Sequence, residues 1–510
     1  MINAASHIAW FAPVILLTVW TLGLLVAEAF VSLTPRQVAW LAFIGLAWTG
    51  LLTLCFDTTT TLFWSNLCKW DGAAKFFNLF FVATAMLVIW MGDEVQEPVS
   101  HGGGEFVILP LFTTIGLMLL AMANDFMLLF VALELVTISF YILVAYQRRS
   151  LPALEAGIKY LILGGLSSAF LVMGIAYIYG LAGTTRFDAL SRELTFYMPL
   201  GISFGLLMVL IGIGFKIAMV PFHIWAPDVY EGAPNSITAF LSVGSKAGGL
   251  IILMRVALSV FGHPDATVIW VPVLTVAAIL SLLLGNLAAI PQRNLKRLLG
   301  YSSIGHTGFI LVAVIGAVPI LASAPHPGEP GFYSADLITG QIAVSVYLVS
   351  YLLATFTAFI VLAVLNRRLP GLEVHHLAGL SQRSPLLSAA FALSLISLAG
   401  VPPLSGFIAK LMVVLVAWNR GLYSLLFFTI FAAVAALYYY LGPIKAMYWS
   451  EPLDDTPIRV NLPTTIVLSI LIFLLIFTGF WAQSMTGLVN SSNLAQAATV
   501  HATTAVAFKQ

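Results

Sequence analysis

Three lysines and a glutamate lie inside long apolar runs, and that setting, rather than any catalytic spacing, is where the sequence points to chemistry. Lys216 sits in IGIGFKIAMVP, Lys246 in FLSVGSKAGG, Lys410 in GFIAKLMV and Glu134 in FVALELVTIS. A lysine at mid-membrane depth costs about 3 kcal/mol on insertion scales, so its retention needs a reason. Removal from water favours the neutral amine, whereas a nearby carboxylate favours the ammonium. A buried lysine whose acidic partner can withdraw is therefore a switchable proton site. We read Glu134 as the partner of Lys216, with Lys246 relaying to Lys410. At 1.5 Å per helical residue, Lys246 lies about 16 Å into its run and Glu134 about 12 Å. Groups at similar depth on different helices would form a lateral row within the membrane plane. The competing reading is that each is a neutralised structural pair or snorkels to an interface.

Two histidines extend the candidate set, because imidazole titrates near neutrality. His306, in GYSSIGHTGF, is flanked by Ser302, Ser303 and Thr307, hydroxyls able to hold waters; it is a relay or a hydrogen-bonded packing residue. His223 follows Pro221 by two residues and either caps carbonyls freed at a helix break or lines an access path. His375 and His376 fall in a loop and read as solvated. Asp228 and Glu231 read as caps of an acidic turn and of the next helix. The run Tyr438, Tyr439, Tyr440 reads as packing or an aromatic belt rather than a quinone site. Gly212-x-Gly214 follows no strand and is no nucleotide fingerprint. Cys55 and Cys68 form no CxxC or metal-ligand pattern. The residues offer no metal site and no ligands for flavin, haem or an iron–sulfur cluster.

The elements that position these groups are dictated by composition. The 510 residues are 60% hydrophobic and 8% charged with a net charge of +1. Soluble domains carry about 25% charged residues, so this is an all-α polytopic membrane protein embedded in a lipid bilayer. The near-zero net charge excludes nucleic acid as an expected partner. Apolar runs predict about 14 transmembrane helices, near 8–31, 37–56, 74–91, 106–122, 126–146, 153–180, 199–224, 235–260, 267–290, 298–320, 337–365, 385–418, 422–449 and 464–487. The first run is long enough to span and lacks the basic start of a cleaved leader. Pro221 predicts one interrupted helix. Gly400, Pro402, Pro403 and Gly406 predict a second. The loop 92–105 is acidic and reads as flexible, and the tail after about 488 reads as peripheral.

Lys and Arg concentrate in alternate loops, with Arg36, Arg148, Arg149, Lys159, Arg293, Lys296, Arg297, Arg367, Arg368, Arg383, Lys445 and Arg459 on one side and Lys69, Lys75, Arg186, Arg192 and Arg420 on the other. The positive-inside rule puts that side in the cytoplasm and both termini outside. Two breaks in corresponding places suggest a tandem duplication. Five helices per unit would enter the membrane inverted, giving two inverted five-helix repeats with two discontinuous helices. The units are then residues 1–105, three N-terminal helices; 106–262, the first repeat; 263–450, the second; and 451–510, the last helix and tail.

At these residues a family becomes recognisable. GFKIAMVPFHIWAPDVYEGAP, FLSVGSKA, NLKRLLGYSSIGHTGF, LAGVPPLSGFIAK and ALYYYL together resemble the antiporter-like N-type (subunit 2) membrane subunits of respiratory complex I, over about residues 100–450. The resemblance implies fourteen helices with the seventh and twelfth broken. It puts the family's functional glutamate on Glu134 and its lysines on Lys216, Lys246 and Lys410. Lys410 separates this chain from the M type, which has glutamate there, and the chain stops short of the long lateral helix of the L type. The resemblance further implies a subunit of a proton-translocating NADH:quinone oxidoreductase in a bacterial inner membrane. NADH, quinone, FMN and iron–sulfur clusters would belong to partner subunits, with quinone used by the complex but not bound here. Other membrane subunits would cover part of the outer surface. A subunit of a multi-subunit cation/proton antiporter is the alternative, and a solute transporter a third reading.

Overall fold

The computed structural model describes residues 4–31, 33–56, 60–94, 103–193, 199–260, 264–317, 340–367, 372–452, 454 and 456–481. Among them, twelve helices are long and apolar enough to cross a membrane, and three shorter apolar helices accompany them. The multi-pass helical class follows from the same composition that announced it. Part of the loop 92–105 and the whole tail after 488 lie outside the described residues.

Helix starts are written locally. Thr34 and Gln37 cap each other reciprocally ahead of helix Pro35–Cys55, with Gln37 N donating to Thr34 Oγ1 and Thr34 N to Gln37 Oε1. Asp125 accepts from Met127 N at 2.7 Å and starts helix Phe126–Val144, which carries Glu134. Ser150, followed by Pro152, starts helix Leu151–Ala182. Lys159 therefore sits inside a helix, not in the loop where the sequence suggests it. One departure from an all-helical chain is a small antiparallel hairpin, Thr61–Phe63 with Cys68–Trp70. Trp64, Ser65 and Asn66 take positive φ at its turn.

Both expected interruptions exist. Helix Leu200–Lys216 ends on Lys216 itself, ahead of Pro221, and the chain forms a short helix Trp225–Gly232 where the sequence suggests an acidic turn. Helix Pro385–Ala399 ends at Gly400, whose φ of +84° suits glycine, and helix Ser405–Asn419 resumes after it. Freed backbone groups at such depth must find partners within the protein. Here they do. Trp225 Nε1 donates to Phe215 O at 3.0 Å, Thr307 Oγ1 to Ile217 O at 2.7 Å, and Val220 N to Ser281 Oγ at 3.1 Å. At the second break Gly406 N donates to Ser397 Oγ at 3.2 Å and Lys410 Nζ to Ala399 O at 2.8 Å.

Three stretches, Asn235–Ala257, Leu295–Ala317 and Gly340–Asn366, are buried almost throughout and form the middle of the molecule. Helices Leu151–Ala182, Tyr423–Trp449 and Leu462–Phe480 instead turn apolar faces outward. Close approach in the middle depends on small residues. A Cβ on Gly285 would lie 2.3 Å from Gly305 N, so helix Pro264–Ala289 touches the His306 helix backbone to backbone. The stretch carrying Lys246 contains a π-helical turn, Leu241–Ser245, immediately before the lysine. Such turns are frequent at functional sites because they reorient one side chain without ending the helix.

Candidate functional site

Lys246 is 2% exposed, and its ammonium finds its partners on the neighbouring buried helix. Nζ donates to Ser303 O at 2.6 Å and to Ser303 Oγ at 2.5 Å. Ser303 Oγ also accepts from Tyr351 OH at 3.0 Å and lies 2.8 Å from Tyr230 OH. Tyr351 OH in turn is 2.6 Å from Ser242 Oγ. One serine hydroxyl thus gathers a lysine and two tyrosines from different elements. One helical turn on from Ser303, His306 Nδ1 lies 2.6 Å from Tyr347 OH and Nε2 lies 3.3 Å from Tyr440 OH. Tyr440 OH also hydrogen-bonds Ser302 Oγ.

Lys410, 6% exposed, closes this network from the far side. A cavity of about 10 Å³ is lined by His306, Tyr347, Ser350, Tyr351, Ser397 and Lys410. That volume is about the space one water occupies, and six polar side chains share its lining with Ala354, Leu398, Gly406 and Ala409. Tyr351 therefore faces both ways: its hydroxyl is bonded to Ser303 beside Lys246, and its side chain lines the Lys410 cavity. Aromatic faces stabilise the ammonium groups where carboxylates are missing. Lys410 Nζ is 4.7 Å from the Phe309 ring and Lys246 Nζ 5.8 Å from that of Tyr351.

In the other half of the row Glu134 and Lys216 act on one another through space, while their direct hydrogen bonds go to other groups. Lys216, 4% exposed, hydrogen-bonds the Thr137 hydroxyl, while Glu134 Oε1 accepts from Ser168 Oγ at 2.5 Å. No ion pair joins Glu134 to Lys216 among the described residues. The cause is helix geometry. Positions 134 and 137 diverge by about 60° around the helix axis, so Thr137 meets Lys216 while the carboxylate turns to helix Leu151–Ala182. The two groups still share one neighbourhood, with the hydroxyl a single turn from the acid. Lys216 also abuts the Lys246 helix, since a Cβ on Gly249 would meet Lys216 Cβ at 3.3 Å.

Other expectations change as well. Thr307 holds the Ile217 carbonyl and Ser303 bonds Lys246 directly, where the sequence suggests hydroxyls holding waters. His223 stays at the first break: its imidazole is hydrogen-bonded to the Pro221 backbone, as the capping reading expects, while its Nδ1 is buried with no hydrogen bond and the carbonyls of Phe215 and Ile217 are taken by Trp225 and Thr307. Asp228 and Glu231 are not caps. Asp228 pairs with Lys159 at 2.7 Å and Arg297 at 2.7 Å, and Glu231 pairs with Arg297 at 3.0 Å. They clamp the short helix Trp225–Gly232 between two long ones, and Pro234 starts the next helix with no side-chain cap. The tyrosine run splits: Tyr438 is exposed, Tyr439 and Tyr440 are buried, and Tyr440 belongs to the His306 network. Among the described residues no three metal-ligating side chains cluster.

Sequence reading missed Thr137, Ser168, Tyr230, Tyr347 and Tyr351. A signal for the last two was present. Tyr347, Tyr351 and Thr355 recur every fourth residue along helix Gly340–Asn366, which puts them in a stripe on one face.

Residues 123–322 and 330–436 match the family described as NADH:quinone oxidoreductase/Mrp antiporter, TM. A protein of Rhodospirillum rubrum named NADH-quinone oxidoreductase subunit N is 39% identical over 416 residues, covering 79% of this chain and 80% of its own. The protein of the same name from Heliobacterium modesticaldum is 38% identical, covering 86% and 88%. A chain of respiratory complex I from Thermus thermophilus superposes with a TM-score of 0.78 at 28% identity, covering 94% of this chain and all of its own. With most of its length matched by that profile and by these relatives, the chain belongs to the NADH:quinone oxidoreductase/Mrp antiporter family of transmembrane proteins, beside those named NADH-quinone oxidoreductase subunit N.

Proposed function

We propose that this chain is a membrane-arm subunit of an NADH:quinone oxidoreductase that moves protons while partner subunits carry the electrons. The observation that supports it best is the continuous polar path through the buried middle, from Lys246 through Ser303 and Tyr351 to the cavity at Lys410. Each hydroxyl on that path can both donate and accept, which is what a proton relay requires. His306 borders the same cavity and shares its tyrosines. At the other end, Glu134 on Ser168 and Lys216 on Thr137 form a switch at rest. Movement of the carboxylate from Ser168 toward Lys216 would favour the ammonium, and its return would release the proton. His223 lies beside the first break as an access residue.

On this reading NADH, FMN, iron–sulfur clusters and quinone belong to the partner subunits, and this chain holds no redox site. It lies in a bacterial inner membrane among other membrane subunits, with both termini on the periplasmic side. The breaks after Lys216 and Ala399 stand at corresponding places in two inverted five-helix repeats, about 106–262 and 263–450, between units 1–105 and 451–510. The test is to purify the native assembly, identify its companions and reconstitute it. Iron–sulfur subunits should co-purify, and Lys246→Ala should abolish NADH-driven acidification of the vesicles. Companions that are all small antiporter subunits would favour the cation/proton antiporter reading instead, and unchanged pumping in the variant would remove the relay.

A further inference from the structure

A crevice of about 890 Å³ opens beside the Tyr423–Trp449 helix, on the end of the bundle that the charge count assigns to the cytoplasm. Its floor is Pro443 and Ile444, and one wall is the loop after helix Pro264–Ala289. Arg293 and Lys445 both line it and both are exposed. No carboxylate lines it, and neither cation has an ion-pair partner among the described residues. Glu373, next to the lining Val374, is already engaged with His375 at 3.2 Å. On the outward side the crevice is apolar and open: Tyr438 is 69% exposed, Leu441 49% and Trp449 76%. Two unpaired cations at the membrane end of an apolar groove suit one kind of molecule, an anion carrying hydrocarbon.

We propose that this crevice binds an anionic phospholipid, with its phosphate held between Arg293 and Lys445 and an acyl chain lying along Leu441 and Tyr438. The Trp449 ring, at the membrane–water boundary, packs against the glycerol region. Phosphatidylcholine also offers a phosphate, but its choline would bring a third cation beside Arg293 and Lys445, so phosphatidylglycerol, whose headgroup carries no cation, is preferred. The site is separate from the buried row. Tyr439 lines the crevice with one edge, while its hydroxyl donates to Asn286 Oδ1 at 3.2 Å on the inner side.

The experiment uses the assembled complex. A photoreactive phenylalanine analogue at position 438 is irradiated in vesicles of phosphatidylglycerol and phosphatidylcholine, and the adduct is identified by mass. A phosphatidylglycerol adduct supports the site; an adduct to a neighbouring polypeptide, to quinone, or to the two lipids in proportion to their abundance overturns it. Independently, the Arg293→Gln/Lys445→Gln complex is purified and its retained lipid counted. Loss of about 1 kcal/mol of attraction per cation predicts phosphatidylglycerol retention lowered by at least about tenfold, with phosphatidylcholine unchanged. Equal retention by the variant and the native complex overturns the proposal, and the photoadduct decides the matter if the variant does not assemble.

Discussion

Lys410 Nζ donates to the carbonyl of Ala399 at 2.8 Å, so the cation closest to the second helix break is bonded to the break itself. The carbonyl needs a donor because Gly400 turns the chain away from the helix, and the ammonium needs acceptors because no carboxylate is nearby. Each satisfies the other. A proton leaving Lys410 would therefore weaken the bond that stabilises the break.

Gly400→Ala tests that coupling. The substituted residue must hold a φ of +84°, and its Cβ would lie 2.6 Å from Lys410 Cδ. The left-handed conformation alone costs about 1–2 kcal/mol without glycine, and the lysine stem must shift off Ala399. The expected outcome is an assembled complex whose proton pumping, followed by a pH-sensitive dye in vesicles, falls by about tenfold. Native pumping would show that Lys410 and the break act separately.

Ser303 and Tyr351 act as one unit if the polar path carries protons. Ser303→Ala and Tyr351→Phe should each slow coupled turnover by about tenfold, and the double variant should be no slower than the worse single one. Multiplicative losses, measured as NADH oxidation coupled to acidification, would mean independent roles.

Thr137 is the partner that sequence reading did not find. Thr137→Val keeps the shape and removes the hydroxyl, leaving a buried ammonium short of one acceptor at a cost of about 1–3 kcal/mol. Turnover should fall in Thr137→Val and return in Thr137→Ser. Glu134→Gln should lower pumping while assembly survives. Were Thr137→Val to pump normally while Glu134→Gln did not, Lys216 would answer to the carboxylate alone.

Away from the row, Asp71 anchors the end of the Lys246 helix through Arg255, with Nη2 to Oδ1 at 2.8 Å and Nη1 to Oδ2 at 3.1 Å. Burial alone would raise the Asp71 carboxyl, but the Arg255 and Lys69 cations outweigh it and hold it below its ordinary 3.8. A lowered carboxylate contributes stability above its ordinary value, and that contribution disappears as pH falls through the lowered one. Thermal stability of the purified complex should therefore decline below about pH 4. Asp71→Asn should lose about 3–5 kcal/mol at neutral pH by stranding Arg255, and should flatten that acid limb. An unchanged melting temperature in the variant would show that the pair is not an anchor.

Residue types alone determined much of this molecule. Apolar runs of about twenty residues dictate spanning helices wherever the backbone must satisfy itself in lipid, and Pro221 and Gly400 mark where two helices fail. The cost of a buried charge singled out Lys216, Lys246 and Lys410, all of which are buried. Direction lay outside its reach. Helical position 134 and helical position 137 differ by one turn, yet only packing against two different neighbours decides that Thr137 meets Lys216 and Glu134 meets Ser168. The same holds for Asp228 and Glu231, whose acidic, Pro- and Gly-containing setting resembles a turn until Lys159 and Arg297 arrive from distant parts of the chain. Cost in a membrane is set by the residue and its depth, which a sequence carries. Hydrogen-bond partners across helices are set by rotation and approach, and those exist only once Ser303, Tyr351 and Tyr440 are folded together around His306.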